Sequence, residues 1–476
     1  MLVAILLLIC IVFIVISTTR LKLHPFLALL TACFLFGLFS GMPVGQIIES
    51  IETGFGGTIG KIGIIIIAGL IIGIFLEKSG GAHTMAGIVL KLIGPKRIYS
   101  AMSIIGYIVS IPVFCDSGFI IISPLNKSLS RQAGLSVTGT SIALALGLLS
   151  THTMVPPTPG PIAAAGILEA DFGLVIILGM VVSFFALFIT TLFAKKIAGK
   201  VHIEPDSQLN NDQINFTPSG TSTATHKDHI NYTPSDTSTT ANNNHINLKS
   251  SDIPPAWKSF LPIIIPIVLI VFNSIAEFPT HPFGVGIIYN IISFIGNPVV
   301  ALLAGMIISF TLPAKFERKM LAPDGWVGEA LKSAAIIILV TGAGGAFGKV
   351  LQNSDMGTIL GEMIENSGLG LWLPFLLAAA LKTAQGSSTV AIITTASMIS
   401  PLITPLGFDS EISKAMVVVA IGAGSCVFSH ANDSYFWVVT QLSNMNVKQG
   451  YKLMSTGSAI LGLTAMIILT IINLFI

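Results

Sequence analysis

The stretch Ser150-Thr-His152-Thr-Met-Val-Pro156-Pro-Thr158-Pro-Gly-Pro161 lies between apolar runs and cannot be helical throughout. Each proline removes a backbone donor and crowds the preceding turn, so a helix entering Pro156–Pro161 must stop or bend sharply there. What surrounds the break decides its meaning. The 476 residues are 53% hydrophobic and only 10% charged, with a mean hydropathy of +0.86, whereas a soluble domain carries about a quarter charged residues. Runs such as Leu2–Ile16, Phe26–Phe39, Ile62–Leu76, Val175–Phe193 and Ser458–Ile476 approach the roughly 20 residues that cross about 30 Å of hydrocarbon. About ten to twelve spans are expected on that length criterion. The runs are continuous blocks, not the alternating segments of a β-barrel, so the spans read as helices.

Broken backbone at membrane depth survives only where protein buries it or where it lines a cavity. Three further segments place polar residues and glycine inside apolar sequence. They are Pro112-Val-Phe-Cys-Asp116-Ser117-Gly118, Lys382-Thr-Ala-Gln385-Gly-Ser387-Ser388-Thr389 and Ser429-His430-Ala-Asn432-Asp433-Ser434. These are expected to be re-entrant hairpins or discontinuous helices, whose half-helix N-termini and hydroxyls suit a carboxylate or a polyhydroxy solute.

The chain also resembles itself. Gly69-Leu-Ile-Ile-Gly73-Ile-Phe-Leu76-Glu-Lys-Ser79 aligns with Gly344-Gly-Ala-Phe-Gly348-Lys-Val-Leu351-Gln-Asn-Ser354 at an offset of 275 residues. Gly118 and Gly386 follow in the same order, as do Ser150 and Ser429. A single small-residue match would mean little in packed membrane helices. Lys78, Lys91, Lys96 and Arg97 follow the first copy, while Gln352–Trp372 has no Lys or Arg and carries Asp355, Glu362 and Glu365. The positive-inside rule then inverts one copy relative to the other. The expected fold is an all-α polytopic membrane protein of two inverted repeats, with membrane halves at 1–200 and 257–476.

Between the halves, residues 201–256 are rich in Asn, Thr, Ser, His and Asp, too polar for a core. Ile214-Asn-Phe-Thr-Pro-Ser219 returns as Ile230-Asn-Tyr-Thr-Pro-Ser235, a 16-residue repeat. This segment reads as a disordered polar linker, cytoplasmic by its flanking lysines. Leu2–Ile16, followed by Arg20 and Lys22, reads as a retained helix with its N-terminus outside. Cys10, Cys33, Cys115 and Cys426 are scattered in apolar sequence and read as buried packing residues.

Asp116 and Asp433 are the sharpest single residues. An ionised Asp at the bilayer centre costs about 2.5–3.5 kcal/mol on the insertion scale, so each must face a cavity, pair with a cation or be protonated. Both are candidates for proton coupling, against the simpler reading that each caps a helix. Ser117, His152, Lys382, Gln385, Ser387, Ser388, Thr389, His430 and Asn432 are the candidate substrate-binding residues. The histidines could equally be satisfied structural donors, and Lys382 could snorkel to an interface. No phosphate-binding loop fits, since Gly344-Gly-Ala-Phe-Gly348-Lys349-Val350 has the wrong spacing, and H-E-x-x-H is missing. An intramembrane hydrolase built on Ser425 and His430 has only weak support. No cofactor, metal or nucleic-acid partner is expected.

At these four segments the chain resembles the gluconate permease family, the gluconate:proton symporters. The residues that carry the likeness are Ser429-His-Ala-Asn-Asp433-Ser-Tyr-Phe-Trp437, Pro156–Pro161, Ala384-Gln-Gly-Ser-Ser-Thr-Val-Ala391 and Asp116-Ser-Gly-Phe119. The resemblance covers both membrane halves and excludes the linker. It implies an inner-membrane symporter taking up a small organic anion with a proton, and a homodimer with a fixed scaffold and a moving transport domain. Two departures bear on substrate: Thr158 stands where the family often has histidine, and Lys382 where it often has arginine. Gluconate is the first expectation, with D-serine, glycerate and uronate-type acids as alternatives. A channel or receptor that does not accumulate its solute is the rival class.

Overall fold

A computed structural model describes every residue except 1, 22, 95–96, 204–252, 278–281, 285, 355–368 and 476. Most of the 201–256 segment and the acidic stretch with Asp355, Glu362 and Glu365 therefore lie outside the described residues. What is described is helical, without strands. In the first half the helices are α1 (Leu2–Thr19), α2 (Pro25–Phe39), α3 (Val44–Lys78), α4 (Gly81–Ile93), α5 (Ile98–Val109), α6 (Cys115–Gln132), α7 (Val137–Met154), α8 (Pro159–Ile167) and α9 (Phe172–Lys196). The second half has α10 (Ala256–Ala276), α11 (Ile287–Gly296), α12 (Pro298–Ser309), α13 (Trp326–Asn353), α14 (Trp372–Gln385), α15 (Ser388–Ile399), α16 (Glu411–Gly424) and α17 (Ser434–Leu442). The last, α18 (Val447–Asn473), includes a π-helical turn at Tyr451–Ser455.

Five helices among the described residues are long and apolar enough to cross a bilayer, or six if α11 and α12, bent by 62°, count as one span. Shorter apolar helices, α2, α4, α5 and α15 among them, stand beside these. Their shortness has a local cause. Gly80, in the left-handed region, separates α3 from α4, Pro112 separates α5 from α6, and Gly386 separates α14 from α15. At 12 residues, α5 and α15 reach only about 18 Å each, so apolar runs that look like spans become arms of hairpins.

The broken helices occupy the middle. Every residue of α7 is buried, as is α16 from Ala415 to Gly424. Outer helices such as α9 turn Phe184, Phe185 and Phe188 outward, the apolar surface that lipid requires. All four cysteines are free and buried.

The halves interlock. Helices α3 and α13, which carry the aligned glycine motifs, cross at Gly54, where an added Cβ would lie 2.6 Å from the Gly345 carbonyl oxygen and 2.8 Å from Ala346 Cα. Backbone cannot step aside as a flexible side chain can, so Gly54→Ala should destabilise the protein by about 1–3 kcal/mol. Gly56, on the same helix, faces open space, and Gly56→Ala should be neutral or mildly stabilising through helix propensity. Thermal denaturation of the two variants in detergent checks this; equal melting temperatures would mean that the crossing yields.

The two flanks of the polar segment are held in place. Ser136 Oγ donates to the Val201 carbonyl at 2.7 Å and accepts from Ile203 N at 3.1 Å. On the other flank, Thr84 Oγ1 donates to the Pro254 carbonyl at 3.0 Å.

Candidate functional site

Helix α14 ends because Gly386 takes φ +83°, a conformation available to glycine at little cost. Glycine is also needed for space, since a Cβ there would run into the backbone of Asn432. Ser387 then caps α15 by accepting from Val390 N at 3.4 Å. The tip of this α14–α15 hairpin is thus pressed against the break that separates α16 from α17.

That break is organised by Asp433, the N-cap of α17, whose Oδ1 accepts from Tyr435 N at 3.1 Å. Its Oδ2 accepts from Ser429 Oγ at 2.5 Å and from Lys382 Nζ at 2.6 Å. Lys382, in the last turn of α14, also donates to the Gly386 carbonyl at 2.8 Å. The two side chains are 1% and 6% exposed, so this is a buried ion pair with both ends hydrogen-bonded. Lys382 does not snorkel to an interface. Such a pair costs desolvation of both charges, and removing one partner leaves the other uncompensated, an effect of about 3–5 kcal/mol.

His430 and Asn432 close the end of α14. His430 Nε2 lies 2.8 Å from the Thr383 carbonyl, and Asn432 Nδ2 donates to the carbonyls of Thr383 and Ala384 at 2.8 and 3.2 Å. They satisfy last-turn carbonyls that a helix leaves orphaned. Gln385 Nε2 donates to Thr18 Oγ1 of α1 at 3.0 Å while its Oε1 is buried without a partner. Ser388 Oγ donates to the Ser425 carbonyl at 3.0 Å, and Thr389 lies beside Gly160 of α8.

From the first half, α6 brings Asp116 in its first turn. Ser434 Oγ stands 3.5 Å from Asp116 Oδ1, and Asp116 lies within electrostatic reach of both Asp433 and Lys382. The Asp433-Ser434 step is thus what stands between Lys382 and Asp116. His152, near the end of α7, is 6% exposed, and its Nδ1 has no hydrogen-bond partner. Its ring sits 5.6 Å from that of Phe114. The Thr158 hydroxyl is turned back to the Val155 carbonyl at 2.6 Å. His152 and Thr158 line one narrow cleft with Gly69, Gly73, Glu77 and Pro112.

Glu77, near the end of α3, lines the same cleft and is not among the candidates that the sequence singles out. A carboxylate in an apolar helix is the signal that could have found it. Ser117, in the first turn of α6, is close enough to act on its carboxylate. The ends of α7 and α16 also meet directly, with Thr153 Oγ1 2.9 Å from Cys426 Sγ. Breaks in four helical regions thus converge on one buried cluster that holds Lys382, Asp433 and Asp116.

A model of the GntP permease family matches residues 1–475. The gluconate permease of Pseudomonas aeruginosa is 30% identical over 98% of this chain and 96% of its own length. The D-serine transporter DsdX of Escherichia coli is 29% identical over 97% of this chain and 96% of its own. Among solved structures, MtrF of Neisseria gonorrhoeae, described within a class of antimetabolite efflux pumps, superposes with a TM-score of 0.60 at 14% identity, over 90% of this chain and 83% of MtrF.

Proposed function

The chain belongs to the GntP permease family, and from that premise we propose that it is a secondary transporter coupling uptake of a sugar acid, gluconate first among candidates, to an inward proton. It is a membrane transport protein and not an enzyme. The observation that carries the finer reading is the buried Lys382–Asp433 pair where two backbone breaks meet. Lys382 is the natural seat for a carboxylate. While Asp433 is ionised it occupies that seat; once protonated, it releases Lys382 to the substrate.

Charge then enforces coupling. The lysine is neutralised by Asp433 in the empty site and by the substrate in the loaded one, with Asp433 carrying the proton. States that hold only one of the two guests leave an unpaired buried charge, disfavoured by several kcal/mol. Asp116 offers a second carboxylate for the proton. In this reading Ser117, His152, Gln385, Ser387, Ser388, Thr389, His430 and Asn432 supply donors and acceptors for the substrate hydroxyls. His430 and Asn432 are engaged with α14 carbonyls, so they reach substrate as the hairpin tip shifts.

A second substrate class is kept by one feature. Lys382 and Asp116 form a dipolar cradle, and a zwitterionic acid such as a D-amino acid could set its carboxylate on one and its ammonium on the other. Placement in the inner membrane with the N-terminus outside, a cytoplasmic 201–256 linker, inverted repeats and a homodimer belong to the same proposal; cysteine accessibility from either side and cross-linking in the bilayer address them.

The decisive measurement is uptake of labelled gluconate into proteoliposomes with and without an inward proton gradient. Gradient-dependent accumulation is the expected result. Equilibration without accumulation would indicate a channel, and accumulation of D-serine, glycerate or a uronate in place of gluconate would reassign the substrate.

A further inference from the structure

Glu77 stands outside the machinery so far described, and its surroundings give it a role. It lies one turn beyond Gly73, at which an added Cβ would collide with the Pro112 carbonyl, so the end of α3 abuts the tip of the α5–α6 hairpin. From there α4 runs 13 residues, about 20 Å, before the chain reaches Arg97. Its carboxylate makes no ion pair among the described residues. Lys78, next in sequence, pairs instead with Glu329 of α13.

Two neighbours connect Glu77 to the centre. Ser117 acts on its carboxylate and shares the first turn of α6 with Asp116, which reaches Ser434 and lies within the field of Lys382 and Asp433. Across the cleft stands His152, buried, with an unpartnered Nδ1. A buried imidazole nitrogen without a partner needs a donor or acceptor from outside the protein, and water is the guest that a narrow polar cleft admits.

We propose that Glu77 is the station through which the coupling proton passes between the His152 cleft and the Asp116–Asp433–Lys382 cluster. This rests on the proton-coupled reading above. Glu77 takes a proton from water in the cleft. It then gives that proton up towards the Asp116 carboxylate, so one O–H bond breaks at Glu77, one forms at Asp116, and the charge passes from one carboxylate to the other. The charged groups that act on Glu77 are Lys78 and Glu329, with Asp116 beyond Ser117 and His152 on the facing α7. The aligned position in the second copy is Gln352, an amide that cannot carry a proton, which makes glutamine a mild replacement.

The test uses reconstituted full-length protein and two assays: accumulation driven by a proton gradient, and counterflow at acid pH, which needs substrate binding and carrier movement but no net proton passage. Glu77→Gln should lower accumulation by about tenfold or more, as expected for losing a group that supports proton transfer, while counterflow persists. Glu77→Asp should restore much of the accumulation. Wild-type accumulation in Glu77→Gln overturns the proposal, as does loss of both activities in both variants, which would make Glu77 a structural group. A wild-type protein that ignores the gradient would instead sink the proton-coupled reading itself, so the two failures are distinct.

Discussion

Lys382→Met is expected to abolish transport and to destabilise the protein by about 3–5 kcal/mol, the cost of stranding a buried carboxylate. Asp433 would keep Ser429 Oγ and Tyr435 N as donors but lose its cation. Adding Asp433→Asn to Lys382→Met removes the stranded charge, so the double variant should recover most of the stability, because contacting residues are not additive. Transport should not recover, since no cation is left to receive the substrate. Thermal denaturation of the three variants in detergent, with uptake measured alongside, separates the two effects. Substrate accumulation by either lysine-free variant would remove Lys382 from the binding site.

Asp433→Asn alone should produce a different defect. The amide cannot ionise, so Lys382 is permanently free for the substrate anion and binding no longer waits on a proton. Accumulation against a gradient should vanish while substrate exchange continues. The sign of the pH effect follows from the same competition. In the wild type the proton is a co-substrate of the proposed cycle, so by mass action KM should fall as pH falls. In the Asn variant KM should lose that dependence. A variant that accumulates like the wild type, or whose KM keeps the wild-type slope, would move the coupling proton elsewhere, with Asp116 the next group to replace.

The breaks were legible because they are local: prolines 156, 157, 159 and 161 forbid a continuous helix whatever surrounds them. The polar runs at Asp116, Lys382–Thr389 and Ser429–Ser434 were visible for a similar reason, as hydrogen-bonding groups in apolar sequence must find partners. Partnership was not legible. Lys382 and Asp433 are 51 residues apart, and no periodicity indicates that a lysine stem turns inward to a carboxylate and not outward to an interface. His430 and Asn432 read as substrate ligands, yet in this conformation they complete the end of α14, a task set by tertiary packing alone. Helix lengths were not legible either, because run length reports hydrophobicity, while Gly80, Pro112 and Gly386 decide where a helix ends. Glu77 was within reach, but the glycine spacing around it drew the reading toward helix packing.

The anchored flanks at Val201–Ile203 and Pro254 bear on how the gene can be handled. Both flanks are fixed by hydrogen bonds to the first half, through Ser136 and Thr84, so the second half departs from a point that the first half itself holds. The 204–252 stretch is therefore the natural site to cut the reading frame in two, or to graft a fluorescent reporter, because covalent continuity there adds proximity and little else.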